Sequence, residues 1–304
     1  MSKVVFMFPG QGSQYTGMGQ EFYEKFPVCR EVYKLAGEAS ALDVAELCFE
    51  ENERLNITEY TQIAMLATEA AIYAALKERG FAPDVTAGLS LGEYGALIAS
   101  GVMSMRDAFS IVRKRGIYMQ NAVPTGGAMS AVMGLEAAAI EKVCEETTGI
   151  VSIANYNCPG QIVITGEKAA VDAAGSALKE AGAKRIVPLK VSGPFHSRLL
   201  AHAGAELGEA LKDIEISEDF LPYVANVTAD YVTDASEVKP LLEKQIVSSV
   251  RWQQSIERLI ADGADTFVEI GPGKSLSGFM RRISREVSVY NIDKLEDFER
   301  YVDR

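Results

Sequence analysis

The sequence predicts a mixed α/β fold in which a smaller domain is inserted into a larger one. A strand, a sharp glycine-rich turn and a helix follow one another at 85–99. Between 125 and 193 the order is strand, helix, strand, strand, helix, strand, which is typical of a ferredoxin-like unit. Because α/β patterns resume on both sides of this unit, we expect a discontinuous large domain at 1–124 and 194–304 and a small domain at 125–193.

The first predicted element is a buried strand over Lys3–Phe8. Residues 4–8 form an uninterrupted apolar run rich in β formers, which Pro9 and Gly10 end. These breakers leave an apolar stretch far shorter than a signal-peptide core or a membrane span. We therefore expect a cytoplasmic protein that is not held in a membrane.

A long buried helix and the strand-turn-helix unit come next. Apolar residues recur at helical spacing over 58–79, and Gly80 supplies a C-terminal stop. A short strand at 85–87, a turn at 88–92 and a helix at 93–99 follow, which is the context of an exposed residue at a sharp turn.

The small domain has strands and helices of its own. Its predicted strands are 128–133, 151–156, 161–165 and 185–191, and its predicted helices are 136–147 and 168–181. The chain enters near 123–127 and leaves near 191–194, and both segments contain glycine or proline. The cleft between the two domains is the predicted ligand site.

The remaining elements return to the large domain. The predicted helices are 199–211, 238–245 and 253–262, with an extended segment at 223–226 and a strand at 266–270 that rejoins the large sheet.

The composition excludes several classes of protein. With 304 residues and 48% hydrophobic content, the chain is long and apolar enough to bury a substantial core. A net charge of -12 argues against general attraction to nucleic acid or to an anionic membrane, so neither is an expected partner. The four cysteines are scattered without a Cys-x-x-Cys pair, which indicates reduced structural thiols rather than disulfides or a zinc site.

Ser90 is the candidate nucleophile. It stands in Gly88-Leu89-Ser90-Leu91-Gly92, which matches the G-x-S-x-G pattern of a nucleophile elbow. Small flanking residues let the chain turn sharply enough to expose the serine hydroxyl above a sheet. The alternative is a glycine-rich turn whose serine caps the following helix. The strand before the motif and the helix after it favour the nucleophile.

A serine nucleophile requires a base, and the chain contains only two histidines, His196 and His202. His196 lies in an irregular loop directly after the small domain, whereas His202 falls inside a predicted helix. We therefore favour His196 as the base. The alternative is that His196 caps the helix that begins near Ser197.

Two backbone amides are candidates for an oxyanion hole. Gln11 lies in the glycine-rich loop after the first strand, and Leu91 lies at a helix N-terminus. Such N–H groups stabilise the negative charge that develops during acyl transfer. Taken alone, the Gln11 loop is also compatible with an ordinary strand-to-helix turn.

Arg115 is the candidate for binding an anionic substrate. On a predicted helix at 105–120, Phe109, Val112 and Gly116 define a buried side, and Arg115 lies close to its edge. A partly buried arginine needs an anion. That anion is either a small dicarboxylate substrate or a carboxylate of the protein itself.

Together these motifs resemble the malonyl-CoA:acyl carrier protein transacylase family. The matching segments, in order along nearly the whole chain, are Pro9-Gly10-Gln11-Gly12-Ser13-Gln14, Gly88 to Glu93, Arg115, Gly193-Pro194-Phe195-His196-Ser197 and Glu269-Ile270-Gly271-Pro272-Gly273. The resemblance implies an α/β-hydrolase-like large domain interrupted by a ferredoxin-like small domain. It also implies transfer of the malonyl group from malonyl-CoA to the phosphopantetheine thiol of acyl carrier protein, which supplies fatty acid biosynthesis.

The resemblance also implies a role for each candidate residue. The implied roles are Ser90 as nucleophile, His196 as its base, Gln11 and Leu91 as oxyanion amides, Arg115 as partner of the malonyl carboxylate, and Gln245 as the residue whose backbone carbonyl orients the histidine. The expected mechanism is ping-pong through a malonyl-serine intermediate, without a metal or a redox cofactor. Malonyl-CoA and acyl carrier protein are the expected partners.

Two positions depart from the family pattern. Leu89 stands where many members have histidine, and Pro194 stands where many have alanine. Phe195 keeps the bulky residue that the family associates with malonyl rather than branched acyl groups. Because residue 89 is not the general base, the expected chemistry does not depend on it.

Three other functions share parts of this pattern. A serine esterase or thioesterase uses the same elbow but releases its acyl group to water, and a polyketide acyltransferase serves another carrier. A catalytically silent scaffold binds carriers without transfer. Carrier proteins are acidic, so docking onto this chain calls for a local basic patch, for which Lys184, Arg185 and Lys190 are candidates.

Overall fold

The computed structural model describes residues 2–191 and 193–304. Met1 and Ser192, the second of which falls in the predicted exit segment 191–194, lie outside the described residues. The strands are β1 Lys3–Phe8, β2 Val85–Gly88, β3 Gly127–Met133, β4 Val151–Cys158, β5 Gln161–Glu167, β6 Arg185–Pro188, β7 Tyr223–Val224, β8 Tyr231–Val232, β9 Ala264–Ile270 and β10 Ser288–Ile292. The α-helices are α1 Gln20–Lys25, α2 Pro27–Ser40, α3 Val44–Phe49, α4 Thr58–Glu78, α5 Gly92–Ser100, α6 Met105–Ala122, α7 Ala137–Glu146, α8 Lys168–Glu180, α9 Ala201–Leu211, α10 Ala235–Gln245, α11 Trp252–Ala261, α12 Ser275–Ile283 and α13 Leu295–Val302.

A six-stranded sheet forms the larger body, in the order β10-β9-β1-β2-β7-β8. Its strands are parallel except for β8, which runs antiparallel to β7. The middle strand β1 sends Phe6 and Phe8 into the core on one face and Val5 and Met7 into the core on the other. A strand that is covered on both faces has an almost continuous run of apolar residues. For this reason the sequence predicts β1 with the same bounds as the structure, Lys3–Phe8.

Helices cover both faces of this sheet. The helix α4 is buried over most of its length and packs against α2 and α6 on the face of Phe6 and Phe8. On the opposite face, α11 and α12 contribute Trp252, Leu276 and Met280 to a second core. The predicted long buried helix at 58–79 is therefore confirmed.

A four-stranded antiparallel sheet forms the smaller body, in the order β4-β5-β3-β6. The helices α7 and α8 bury Ile140 and Leu178 against one of its faces. All six predicted elements of this segment occur in the predicted order. The last strand, predicted at 185–191, ends at Pro188, although the Leu189 N–H still donates to the Met129 carbonyl of β3 at 2.9 Å.

The edge of the smaller sheet is tied to the segment before α11. Asn155 of β4 forms an isolated bridge with Val250, and the Ser249 hydroxyl donates to the Ile153 carbonyl at 2.6 Å. These contacts hold the smaller sheet over the carboxyl ends of β1 and β2, where ligands of parallel sheets bind.

Several elements have no counterpart in the sequence prediction. They are the helices α1, α2 and α3 between residues 20 and 49, the two-residue strand β8, and the final α12, β10 and α13. The strand β10 lies at the edge of the sheet, beside β9, and its residues are mostly half-buried. An edge strand of this kind has a weak apolar signal.

Two further predictions concern the cysteines and the membrane. Cys29, Cys48, Cys144 and Cys158 are all free and buried, as expected for structural thiols. Within residues 2–191 and 193–304, no helix has the length and hydrophobicity that crossing a membrane requires.

Glu69, on α4, is a buried carboxyl group without a hydrogen-bond partner among the described residues. Its side chain is fully enclosed, and burial, followed by the nearby charge of Glu269, raises its pKa well above the ordinary value. Glu269 differs because it accepts the N–H groups of Leu276 and Ser277 at the start of α12. Glu69 is therefore held protonated in the folded protein.

Replacing Glu69 should change how stability depends on pH. The native carboxyl keeps a proton that the unfolded chain releases above its ordinary pKa, so the wild-type protein loses stability as the pH rises, by up to about 1.4 kcal/mol per pH unit. The variant Glu69→Gln should therefore gain unfolding free energy relative to wild type between pH 6 and pH 8. Urea unfolding at pH 6, 7 and 8 measures this, with the exposed Glu180→Gln as control. A difference from wild type that is independent of pH would contradict the prediction.

Candidate active site

Ser90 lies in the sharp turn between β2 and α5, with a φ of 55°. A side chain at Gly88 would place its Cβ 1.9 Å from the Gly92 carbonyl oxygen, and one at Gly92 would lie 2.1 Å from the Phe8 carbonyl oxygen. Both positions therefore require glycine because the backbone approaches too closely for any Cβ. The left-handed φ at a non-glycine residue costs of order 1–3 kcal/mol, which the surrounding contacts must offset.

Asn226, just after β7, is one of the residues that offset this cost. Its Oδ1 accepts the Ser90 N–H at 2.6 Å, and its Nδ2 donates to the Gly88 carbonyl at 2.6 Å. A single buried side chain therefore holds both sides of the turn. This role is not evident from the sequence, which predicts only an extended backbone at 223–226.

His196 lies beside Ser90 and has the geometry of a base. Its Nε2 is 2.7 Å from the Ser90 hydroxyl oxygen, and its Nδ1 is 2.9 Å from the Gln245 carbonyl oxygen. Because a carbonyl only accepts, Nδ1 carries the proton, which leaves Nε2 free to accept the serine proton. His202, by contrast, is exposed on α9 and lies 3.9 Å from Glu206.

The imidazole of His196 is held in its neutral form. The residue is only 4% exposed and adopts a φ of 58°. Burial, followed by the positive charge of Arg115, lowers its pKa from the usual 6.5 to about 4. A base that stays neutral over the physiological range is available to accept a proton.

Arg115, on α6, is a buried cation whose hydrogen-bond partners are neutral oxygens. It is 1% exposed and donates to the Gln62 Oε1 at 2.7 Å, the Gln245 Oε1 at 2.9 Å and the Ser90 hydroxyl oxygen at 3.2 Å. Its Nε has no partner among the described residues. Of the two anions that the sequence left open, a protein carboxylate forms no ion pair with Arg115 in the part of the chain that the structure describes. The site is therefore short of one negative charge.

Gln245, at the end of α10, connects these groups. Besides the carbonyl contact to His196, its Nε2 donates to the Ser90 carbonyl at 3.1 Å and to the Glu93 carboxylate at 2.6 Å. Glu93 is 1% exposed and also accepts the Asn226 N–H at 3.2 Å. Burial raises the pKa of Glu93 to about 7, against the lowering effect of the Gln245 and Asn226 contacts and of Arg115. The side chain of Gln245 and the whole of Glu93 were not anticipated from the sequence.

Gln11 and Leu91 both line the cavity that contains Ser90. Leu91 immediately precedes α5, and the first N–H groups of a helix have no partner within it. The Gln11 side chain donates to the Thr58 hydroxyl at 3.1 Å, which fixes the loop after β1 against α4. Both residues are therefore placed beside the serine, as the oxyanion hypothesis requires.

The cavity over Ser90 has a volume of about 260 Å³ and is lined by both bodies of the protein. Met129, Asn155 and Asn157 of the smaller sheet face it together with Ser90 and Arg115. The volume lies below the range typical for drug-sized ligands, which suits a short acyl group. The predicted ligand cleft therefore exists between these two parts of the chain.

The residues at the two departures from the family pattern lie near this cavity. Leu89 is half-buried and lines it, and its carbonyl oxygen lies 2.6 Å from where a Cβ at Gly10 would be. Pro194 packs against Gly127 at the start of β3, and the buried Phe195 lines the cavity.

A second and larger cleft, of about 620 Å³, also reaches His196. Its lining includes the exposed Arg198, Lys244 and Arg251 but neither Ser90 nor Arg115. Although this cleft is larger, the hydroxyl of Ser90 and the buried cation of Arg115 both line the smaller cavity. In the described part of the chain, no group of three or more His, Cys, Asp or Glu side chains is arranged to hold a metal ion.

Comparison with known proteins gives a consistent result. The sequence profile of the acyl transferase domain matches residues 5–292. A protein of Bacillus subtilis named malonyl CoA-acyl carrier protein transacylase is 45% identical over 304 residues, which cover 98% of this chain and 96% of that protein.

Solved structures agree over the whole length. The malonyl CoA-acyl carrier protein transacylase of Clostridium perfringens superposes with a TM-score of 0.95 at 41% identity, covering 99% of this chain and 96% of that one. A malonyl-transacylase in complex with its type II PKS acyl-carrier protein gives a TM-score of 0.96 at 38% identity, covering 99% of both chains.

The low pKa of His196 can be tested by NMR titration of the two histidines. We expect the His196 ring resonances to stay unchanged between pH 7.5 and pH 5.5, because burial and Arg115 lower its pKa to about 4. The exposed His202 provides an internal reference in the same spectra. A midpoint for His196 near 6.5 would show that its ring is hydrated and that the Arg115 charge does not act on it.

Proposed function

The chain belongs to the family of malonyl CoA-acyl carrier protein transacylases, and we propose that it transfers malonyl from malonyl-CoA to the phosphopantetheine thiol of an acyl carrier protein through a malonyl-Ser90 intermediate. The observation that carries this proposal is the contact of one serine hydroxyl with both a neutral base and a buried cation. His196 lies 2.7 Å and Arg115 lies 3.2 Å from the Ser90 oxygen.

In the first step, the Ser90 oxygen attacks the thioester carbonyl of malonyl-CoA while Nε2 of His196 accepts the hydroxyl proton. The resulting imidazolium is stabilised through Nδ1 by the Gln245 carbonyl. His196 then returns the proton to the departing sulfur of coenzyme A. The C–S bond breaks, and malonyl is left as an ester of Ser90.

The Gln11 and Leu91 amides are proposed to stabilise the tetrahedral oxyanion of this step. Loss of one such donor typically costs about 3 kcal/mol of barrier. The position of Leu91 before α5 adds the positive end of a helix to this hole.

Arg115 is proposed to bind the malonyl carboxylate. A carboxylate replaces neutral oxygens as partner of the guanidinium, which completes the charge that the free site lacks. This contact fixes the reacting carbonyl next to Ser90, so the site prefers an acyl group that carries a carboxylate.

In the second half of the cycle, the thiol of the carrier's phosphopantetheine attacks the malonyl ester. His196 accepts the thiol proton and returns it to the Ser90 oxygen as the malonyl group passes to the carrier sulfur. The free serine is thereby restored, and the step requires neither a redox change nor a metal. A hydrolase would use water at this point. The observation that favours transfer is the similarity to a malonyl-transacylase seen in complex with its acyl-carrier protein.

We further propose the division of the chain that the sequence suggested. Residues 1–124 and 194–304 would form an α/β-hydrolase-like catalytic domain, and residues 125–193 a ferredoxin-like domain. In support, the smaller sheet is antiparallel with the order β4-β5-β3-β6, which is the arrangement of a βαββαβ unit. We place the activity in the cytoplasm and in fatty acid biosynthesis.

The proposed carrier surface borders the mouth of the cavity. Lys184, Arg185 and Lys190 are all exposed, and Lys190 is flanked by Leu189 and Val191, which line the cavity. A basic rim there would attract an acidic carrier to a chain whose net charge is -12.

Incubation with radiolabelled malonyl-CoA tests the nucleophile. The wild-type protein should acquire one malonyl group on the peptide that contains Ser90, detectable by mass spectrometry, and should pass it to a purified carrier. The variant Ser90→Ala should neither acquire nor pass the label, because no oxygen remains to form the ester. Normal transfer by this variant would disprove the assignment, and accumulation of free malonate in place of malonyl-carrier would identify a hydrolase.

Arg115→Ala should weaken malonyl transfer far more than acetyl transfer. Removing one partner of a buried charge pair costs about 2–5 kcal/mol, so kcat/KM for malonyl-CoA should fall by roughly 30-fold or more. The acetyl group has no carboxylate and should lose much less. The control is Arg113→Ala, which removes a cation of the same helix that pairs with Glu59 at 2.9 Å. Equal losses of kcat/KM for both substrates would show that Arg115 does not recognise the malonyl carboxylate.

A further inference from the structure

Gln245 makes three side-chain contacts that together fix which way its amide group points. Its Oε1 accepts from Arg115 at 2.9 Å, and its Nε2 donates to Glu93 at 2.6 Å and to the Ser90 carbonyl at 3.1 Å. An arginine only donates, whereas a carboxylate and a backbone carbonyl accept. The oxygen of the amide must therefore face Arg115, and its nitrogen must face Glu93.

We infer that Glu93 is a positioning residue, which holds the Gln245 amide so that its oxygen supports Arg115 and thereby sets the preference for acyl groups that carry a carboxylate. This inference rests on the proposed function and extends it to a residue that does not touch the substrate. Glu93 acts on Arg115 through Gln245, without an ion pair to the guanidinium among the described residues.

The alternative orientation of the amide shows why an acceptor is needed at position 93. If the Gln245 amide rotated by 180°, its NH₂ would face the Arg115 guanidinium, and two donors would oppose each other in a buried site. Arg115 would then lose one of its neutral acceptors and move from the place where it meets the substrate carboxylate. The Ser90 carbonyl also opposes this rotation, but the Glu93 contact is the shorter of the two, at 2.6 Å against 3.1 Å.

The same Glu93 oxygen has a second contact, with a different consequence. The Oε2 atom accepts the Asn226 N–H at 3.2 Å, and Asn226 holds both sides of the Ser90 turn. Loss of this contact would loosen the nucleophile for every acyl donor alike. Loss of the Gln245 contact would act through Arg115 and weaken transfer from donors with a carboxylate more than from donors without one. The two effects are therefore separable by comparing two substrates.

The surroundings of Glu93 fit a functional carboxylate. It is almost fully buried on α5, three residues after the nucleophile, and the Gln245 amide group lies between it and Arg115. The ring of Tyr94 lies 5.6 Å from the guanidinium carbon and shields the cation on another side. Burying a carboxyl group is costly, so a structural role alone is better served by a neutral side chain.

The test compares kcat/KM for malonyl-CoA and acetyl-CoA in wild type, Glu93→Met and Glu93→Gln. Methionine has a similar size and no acceptor oxygen, so the malonyl/acetyl ratio should fall by roughly fivefold or more, since a buried donor left without an acceptor costs about 1–3 kcal/mol. Glutamine can present either its oxygen or its NH₂ to Gln245, so the ratio should fall by roughly threefold or more. The control Glu69→Gln removes another buried carboxyl, one that has no contact with Gln245, and should leave the ratio unchanged.

The outcomes are distinct. A wild-type protein that fails to transfer malonyl, or that prefers acetyl, contradicts the proposed function itself. If wild type prefers malonyl but both Glu93 variants keep its ratio within about twofold, with all losses shared equally by the two substrates, Glu93 acts only on the turn and the inference is overturned. Should Glu93→Met not fold, as judged by circular dichroism, the ratio of Glu93→Gln decides alone by the same criterion.

Discussion

The arrangement of the site follows from a single buried positive charge. The guanidinium of Arg115 is 1% exposed and is held by oxygens of Gln62, Gln245 and Ser90 that carry no charge. A buried cation without an anion is unfavourable, so the free protein keeps an energetic preference for a ligand that supplies one. The same charge adds to the lowering of the His196 pKa, which keeps the base neutral. Under the proposed function, substrate selection and base strength are therefore two consequences of this one residue.

The backbone around this charge is held in conformations that it would not adopt alone. Ser90 and His196 both have a left-handed φ, of 55° and 58°. Each is over-determined by hydrogen bonds from distant parts of the chain, through Asn226 for the serine and Gln245 for the histidine. Strain of this kind persists only where surrounding contacts exceed its cost. The reacting atoms therefore keep their 2.7 Å separation before substrate arrives.

The sequence predicted the parts of this protein that depend on local pattern. The strand Lys3–Phe8 is a continuous apolar run, and the turn at Ser90 has glycines at the two positions where the structure has no room for a Cβ. Glu93 and Asn226 were not predicted as members of the site, because their roles come from contacts across 133 and 136 residues of chain. Glu93 ends the motif at 88–93, but nothing in that motif distinguishes such a contact from an ordinary helix position, and Asn226 lies outside the motifs that the sequence showed. Residues that act through pairing in space need the fold before they can be recognised.

The histidine partner explains why the anion is missing from the protein. In a Ser-His-Asp triad, a carboxylate orients the histidine and stabilises its protonated form. A carboxylate in place of the Gln245 amide, whose Oε1 lies 2.9 Å from the guanidinium, would pair with Arg115, and a substrate carboxylate would then compete with it for the cation. The neutral carbonyl of Gln245 orients His196 without that competition. Glu93 is the carboxylate in this site that most resembles the triad aspartate in role, but the side-chain amide of Gln245 lies between Glu93 and the Arg115 guanidinium. The backbone carbonyl of Gln245 thus orients His196, while its neutral side-chain amide contacts Arg115 without neutralising the positive charge. A carboxylate side chain at position 245 would neutralise that charge.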